Sequence, residues 1–250
     1  MHMGYNIAKG YVHCYRCGHH RLRETVAELG GITLAKARQL LEGLETSAVR
    51  ETIRPQGKLT LPKGLGPLLP AHARYLRRRG FDAAELVGLW GLQGIGLASR
   101  LAWRIFIPIH LDGQVVSWTT RATADDVEAR YISARPEEEA VHHKDLLYGE
   151  QMASHAICVV EGPTGVWKIG PGAVATLGTG YTRAQFSRMA KYPVIRICFD
   201  PEPVAQQRAI QLAQDLASFG GDVQNLVLED SEDPGALTDN ELKKIRAALS

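Results

Sequence analysis

The chain has little of what marks several protein classes. Four cysteines in 250 residues are too few for a disulfide framework, and Cys158 and Cys198 sit inside apolar runs, so a reducing cytoplasm is the expected compartment. Long hydrophobic runs are missing: the longest uncharged stretch, Leu86 to Ser99, is short and broken by four glycines, which excludes a membrane span of about 20 apolar residues. The opening Met1-His-Met-Gly-Tyr-Asn has no apolar core of a signal peptide. Charge of one sign is also lacking. With 29 Lys and Arg against 27 Asp and Glu the net charge is +2, so no chain-wide basic field dictates a nucleic-acid partner. Charge is clustered only locally, in Arg77-Arg78-Arg79 and Glu137-Glu138-Glu139. Neither internal repeats nor low-complexity segments occur. At 45% hydrophobic and 22% charged residues, the composition is that of an ordinary globular protein of one or two domains.

What is present is organised around Ala156 to Glu202. Two short β-branched runs, Ala156-Ile-Cys-Val-Val160 and Val194-Ile-Arg-Ile-Cys-Phe199, end abruptly in Glu161-Gly-Pro163 and Asp200-Pro-Glu202. Such runs bounded by turn residues read as buried strands. Between them lie a third apolar piece, Ala173 to Thr176, and a helix expected over Thr182–Ala190. Strands alternating with helices predict a parallel sheet whose strand ends share one edge. Glu161, Asp200 and Glu202 then meet at the carboxyl edge, where open α/β sheets bind ligands. Gathered carboxylates repel one another unless a cation sits among them, and an Asp-x-Glu pair suits one hard divalent ion. Each acid taken alone reads more often as a solvated loop residue.

Tyr11-Val-His-Cys14-Tyr-Arg-Cys17-Gly is half of a zinc site, since one Cys-x-x-Cys turn supplies two of the four ligands zinc takes. Two helices are expected over Leu22–Leu29 and from Leu34 onward, the second capped by Thr33. Residues 46–70 are rich in proline and read as a linker. A helix from Ala71 stops at Gly80, and Asp82-x-x-Glu85 caps the next. The arginine run closes the first of these helices, where cations complement the helix dipole, and the same face could also touch phosphates. Two β-rich runs flanking Asp112-Gly113 form a hairpin. The adjacent His142 and His143 are read as loop residues rather than ligands. A helix from Pro203 to about Ser218, a fourth strand within 222–229, Asp233-Pro234 and a last helix complete the chain, and Asp233 can join the acidic edge.

In this order the motifs resemble the DnaG-type primases of bacteria and their phages. Tyr11 to Gly18 resembles the second half of the family's zinc ribbon, Tyr75-Leu-Arg-Arg-Arg-Gly80 the "YLxxRG" helix, and Arg104-Ile-Phe-Ile-Pro-Ile109 the "RIxFPI" strand. Trp118-Thr-Thr-Arg121 stands in the place of "GFGGR", Arg130-Tyr-Ile-Ser133 of "KYLNSP", and His143-Lys144 through Tyr148-Gly149 of "HKxxxLYG". Val159-Val-Glu161-Gly162, Ala175 to Thr179, Phe199-Asp200-Pro-Glu202 and Glu232-Asp233-Pro234 follow the Toprim pattern. The sequence departs from that pattern in having Gly165 in place of an acid, Glu202 in place of an aspartate, and no first cysteine pair ahead of Cys14, as expected of an internal start or a truncated chain. The resemblance implies an α/β fold: a Toprim-type parallel sheet core over 155–250, preceded by a mixed α+β subdomain of an RNA-polymerase domain over 71–154. Ahead of these it places a linker over 46–70 and a zinc-ribbon-like and helical segment over 1–45.

The function implied is that of a DNA primase, a DNA-directed RNA polymerase making RNA primers on single-stranded DNA by metal-dependent nucleotidyl transfer in replication, with a phage origin expected. Glu161, Asp200 and Glu202 would be catalytic and, with Asp233, hold Mg²⁺ or Mn²⁺; Cys14 and Cys17 would hold Zn²⁺. Arg104, Arg121, Arg130 and Lys144 would grip template or nucleotide phosphates, and Tyr131 would stack a base. The implied partners are single-stranded DNA, NTPs and a replicative helicase, with no membrane, in the bacterial host's cytoplasm where the chain is phage-encoded. Two other readings stay open. One is a non-catalytic primase-like module that binds single-stranded DNA or a replisome partner, motivated by Gly165. The other is a Toprim nuclease, since fold alone does not fix function.

Overall fold

The computed structural model describes residues 3–6, 11–14, 18–45, 55, 57–97, 100–124, 126–178, 180–219 and 221–249. Near the N-terminus β1 (Met3–Asn6), β2 (Tyr11–Cys14) and β3 (Gly18–His20) pair antiparallel in sequence order. Helix α1 (Leu22–Gly30) follows, ended by Gly31 in the left-handed region at φ 59°, and then α2 (Leu34–Glu45). Thr33 Oγ1 accepts the Lys36 N–H at 3.2 Å, the cap expected of it. Cys17 and the Cys14 side chain lie outside the described residues, so the zinc expectation there is untouched by the structure.

The second sheet is antiparallel, five strands in the order β4 (Leu65–Gly66), β5 (Gln93–Ile95), β6 (Arg104–Leu111), β7 (Gln114–Ala122) and β8 (Tyr131–Ser133). Helices α3 (Pro70–Arg78) and α4 (Ala83–Trp90) lie between its first two strands in sequence. Asp112 and Gly113 both take positive φ, 50° and 79°, which is what a two-residue hairpin turn matched to strand twist requires. The segment expected to be a linker is, over its described part, laid along this sheet. Thr60 O accepts the Trp118 indole N–H at 2.9 Å, its N–H donates to Glu138 O at 2.9 Å, and Leu65–Gly66 forms β4. Buried indoles need an acceptor, and this backbone supplies one.

The third sheet is wholly parallel, with β9 (Ala156–Val160), β10 (Ala173–Ala175), β11 (Val194–Ile197) and β12 (Asp222–Asn225) in the order β10-β9-β11-β12. The crossovers are α5 (Pro163–Ile169), α6 (Arg183–Met189) and α7 (Pro203–Ala217), and α8 (Asp239–Ala247) closes the chain. Helix α5 is not anticipated from sequence. Gly162, Pro163 and Gly165 look like a turn, yet Pro163 occupies the first helical turn, where its missing N–H costs nothing.

Alternation along β9 divides the core. Ile157 and Val159 face Phe186, Met189, Leu212 and Leu216 of α6 and α7. Cys158 and Val160 face α5 and α8 in a cluster that continues through Trp167 and Tyr148 to Trp90, Ile105 and Ile107 of the antiparallel part. At about 1.5–3 kcal/mol for each large apolar side chain buried, this shared cluster binds the two sheets into one body. Trp167 anchors it, meeting Phe81 edge-on at 5.8 Å and donating to Tyr148 Oη at 2.9 Å.

Candidate active site

In the parallel sheet the chain steps from β9 to β10 on one side and then to β11 on the other, so β9 is where the winding reverses. Open sheets leave a crevice at the carboxyl edge of such a point. Glu161 is the first residue past β9. The pairing of Ile197 with Val159 brings the end of β11 level with it, so that Asp200 arrives at the same edge. The Asp200 N–H donates to Glu161 Oε1 at 3.3 Å. Gln206 of α7 donates to Asp200 O at 3.0 Å and is itself held by Asn225 Nδ2 at 3.0 Å. Thus the backbone beneath Asp200 is braced from two elements.

Glu161, Asp200 and Asp233 line one cleft of about 320 Å³ between the two larger sheets. Asp233 caps the short helical turn Pro234–Ala236 by accepting the Gly235 N–H at 2.6 Å, and lies 3.8 Å from Arg79. Burial, and then the charge of Asp200, pushes the Glu161 carboxyl up to about 7. Burial, and then the charges of Asp233 and Glu202, pushes Asp200 up to about 6. Oxygen-only donors that resist ionising in each other's presence are the set a hard dication relieves, so by donor type these residues suit an ion such as Mg²⁺ or Mn²⁺, while no three of their carboxylates lie within 4.8 Å of one another in this structure.

The opposite wall is cationic. Arg121 is 6% exposed, and its guanidinium donates to Tyr75 Oη and Tyr131 Oη, both at 2.5 Å, while lying 4.9 Å from the Tyr131 ring centre. Its partners are therefore hydroxyls and ring faces rather than a carboxylate, and its charge is left for whatever enters the cleft. Arg79 and the exposed Arg130 also reach the cleft. A second groove, about 570 Å³, runs along α3 between Arg74, Arg77, Arg78 and Thr123; Tyr75, which also lines it, is one of the two hydroxyls that hold Arg121.

Several residues singled out from sequence do other work. Arg104 is buried, and its guanidinium donates to Ala129 O at 2.6 Å and Arg130 O at 3.2 Å, fixing the segment that carries Arg130. The Lys144 ammonium donates to Thr176 O and Gly180 O, both at 2.8 Å, and to Leu177 O at 3.4 Å. It ties down the 176–180 loop, whose Leu177 and Gly178 line the cleft. Glu202 is exposed at the start of α7 and does not line the cleft, although its charge is felt at Asp200. One face of the Tyr131 ring is covered by Arg121.

Arg79 is the one residue of the arginine run that lines the cleft. The arginine run has a sufficient explanation in the end of α3, but φ 77° at Gly80 turns the chain there and Arg79 is directed to Asp233. Gly165 also has a physical explanation. A Cβ built on it would lie 3.0 Å from Pro234 Cβ and 3.1 Å from Val160 Cβ, so the position is closed to any side chain without displacement of its neighbours.

No protein-family model and no curated protein matches the sequence. Solved structures do. The chain superposes on the E. coli primase catalytic core with a TM-score of 0.60 at 20% identity, covering 72% of each chain. On the zinc-binding and RNA polymerase domains of the Aquifex aeolicus primase the TM-score is 0.61 at 17% identity, covering 99% of this chain and 74% of the other. On the primase fragment of the bacteriophage T7 primase-helicase protein it is 0.53 at 15% identity, covering 98% and 92%. At such identities the likeness establishes the fold, a mixed α/β architecture with the parallel and antiparallel sheets of the primase catalytic core.

Proposed function

We propose that this chain is a DNA primase that synthesises RNA primers on single-stranded DNA. The observation that carries the reading is the two-sided cleft, with Glu161, Asp200 and Asp233 on the parallel-sheet side and Arg79, Arg121 and Arg130 facing them. Joining two nucleotides needs both signs of charge in one place, because a triphosphate must be held while charge develops on its leaving group.

Arg121, fixed by two tyrosines, presents a pre-oriented guanidinium to a phosphate; such a planar fork suits phosphate oxygens better than an ammonium does. Arg130, which is exposed, and Arg79, held by Asp233, add charge beside it. The groove along α3 extends this basic path away from the cleft, as a sequence-tolerant track for a single strand requires. Glu161 and Asp200, with Asp233 and Glu202 alongside, would hold a divalent ion of the Mg²⁺ or Mn²⁺ type, which when bound neutralises triphosphate charge and stabilises the departing pyrophosphate. Lys144 and Arg104 are positioning residues, one for the 176–180 loop and one for the segment bearing Arg130. NTPs, a single-stranded template and a replicative helicase are the partners this reading assigns, with Cys14 and Cys17 offering half of a zinc site. A phage replication system is the setting it favours.

The test is template-directed synthesis from single-stranded DNA of mixed sequence and labelled NTPs, with Mg²⁺ and separately Mn²⁺. Short RNA, lost in Glu161→Gln and Asp200→Asn, is the expected result. The closed packing at Gly165 supports a second reading, a primase-like module that binds single-stranded DNA without catalysis. Salt-sensitive DNA binding with no nucleotide incorporated under either metal would establish that reading and refute the first.

A further inference from the structure

Away from the cleft, three side chains outside the acidic edge come together at the turn that carries Lys144. Among the described residues, Glu139, His142 and His143 are the one group of three His, Cys, Asp or Glu side chains whose ligand atoms lie within 4.8 Å of one another. Glu139 is buried, 4% exposed. Its Oε2 accepts the Ser117 hydroxyl at 2.6 Å and the His143 N–H at 2.9 Å, and faces His143 Nδ1 at 3.0 Å; its Oε1 faces His142 Nδ1. The two imidazoles meet edge to face, ring centres 4.6 Å apart.

This arrangement has a charge imbalance. Glu139 places a carboxyl group in a buried position, held by Ser117, His142 and His143. Its partners are a hydroxyl, a peptide N–H and two imidazoles, with neither Lys nor Arg among them. A carboxylate taken from water without a full countercharge is costly, and a dication between the three ligand atoms supplies that countercharge. Two imidazoles and one carboxylate are the ligands of open, three-residue zinc sites, and the Ser117 hydroxyl orients the carboxylate as outer hydrogen bonds do in such sites. The half-exposed His142 side chain leaves an entry from solvent.

We propose that Glu139, His142 and His143 bind one divalent transition-metal ion of the Zn²⁺ type, distinct from the hard-cation site at Glu161 and Asp200. Imidazole ligands favour Zn²⁺ over Mg²⁺. The ion locks the 142–145 turn, and through Lys144 it stiffens the loop at 176–180 that borders the cleft. The site stands whether or not the chain is a primase.

The test uses the full chain with Cys14→Ser and Cys17→Ser, which removes the zinc candidates suggested by the sequence, stripped of metal and titrated with Zn²⁺ by calorimetry and with Co²⁺ by absorbance. The expected result is one equivalent of Zn²⁺ not displaced by excess Mg²⁺, a Co²⁺ d–d band without thiolate charge transfer, and a Zn²⁺-dependent rise in Tm. Affinity should fall at least tenfold in His142→Ala and be unchanged in His155→Ala, an exposed histidine elsewhere. His142→Ala removes a half-exposed ring, and a melt without metal checks that it folds. No bound equivalent, equal affinity in His142→Ala and the parent, or full displacement by Mg²⁺ would overturn the proposal.

Discussion

Replacing Glu161 by Gln should abolish synthesis while making the metal-free protein more stable at alkaline pH, a combination that an ordinary destabilising mutation does not give. In the folded chain burial and the neighbouring Asp200 charge push the Glu161 carboxyl from 4.5 to about 7. A carboxyl raised on folding binds its proton more tightly in the folded than in the unfolded state. Its contribution is therefore fully present below about pH 4.5 and is lost as pH rises through about 7. That interval corresponds to about 3 kcal/mol, and the solvent-facing part of the side chain trims it to about 2 kcal/mol. Gln keeps the shape and the acceptor for the Asp200 N–H but carries no charge at any pH. With chelator present, the variant should exceed the wild type by about 2 kcal/mol at pH 8, or about 4–8 °C in Tm for a chain of this size, and match it within about 0.5 kcal/mol at pH 5. Thermal and urea melts followed by circular dichroism at pH 5, 6.5 and 8 measure this directly. Adding Mg²⁺ at pH 8 should then raise the wild type more than the variant. A variant less stable than wild type at pH 8, or a gap independent of pH, would refute the account of mutually repelling acids.

Four further outcomes follow from where particular side chains lie. Gly165→Asp, which adds an acid near Glu161, should destabilise the protein by about 1–3 kcal/mol because its Cβ meets Pro234 and Val160; a urea midpoint equal to wild type would show that the helix yields freely. Arg130→Ala should leave Tm within about 1 °C of wild type but reduce the salt dependence of single-strand binding by about one phosphate contact, a slope change of about 0.7. Arg104→Ala should do the reverse, lowering Tm by several degrees because two carbonyls lose their buried donor; a salt slope changed by both variants equally would place Arg104 on the DNA. Arg121→Lys cannot reach both tyrosine hydroxyls at once, and single-strand affinity should fall about tenfold in a fluorescence-anisotropy titration, undiminished binding being the contrary result.

What was legible in the sequence follows the physics of each signal. The parallel sheet and its acidic edge could be read because β-branched runs ending in Glu161 and Asp200 carry their own direction, and parallel pairing forces like ends together. The hairpin could be read because Asp112-Gly113 suits only a few backbone conformations. Helix α5 could not, since a proline in a first turn and a glycine at a close contact look like loop chemistry until their neighbours are known. Nor could the allocation of the cations. Arg104 pairs across the hairpin with Ala122, whereas Arg121 pairs with Ile105, so the two arginines stand on opposite faces of one sheet. Motif order treats them alike, but pleat parity sends one to the cleft and the other to the backbone of Ala129 and Arg130.

The same reasoning explains why the paired histidines were unpromising as letters. Neighbouring residues on a strand diverge to opposite faces, and sequence adjacency alone argues against a shared ligand. His142 precedes the tight helical turn His143–Asp145, and that change of backbone direction turns both Nδ1 atoms onto the one carboxylate of Glu139. The next residue in that turn, Lys144, holds the loop bordering the cleft. A single tight turn thus joins the Glu139 cluster to the wall of the acidic cleft, and anything that binds the cluster tightly must also restrict that wall.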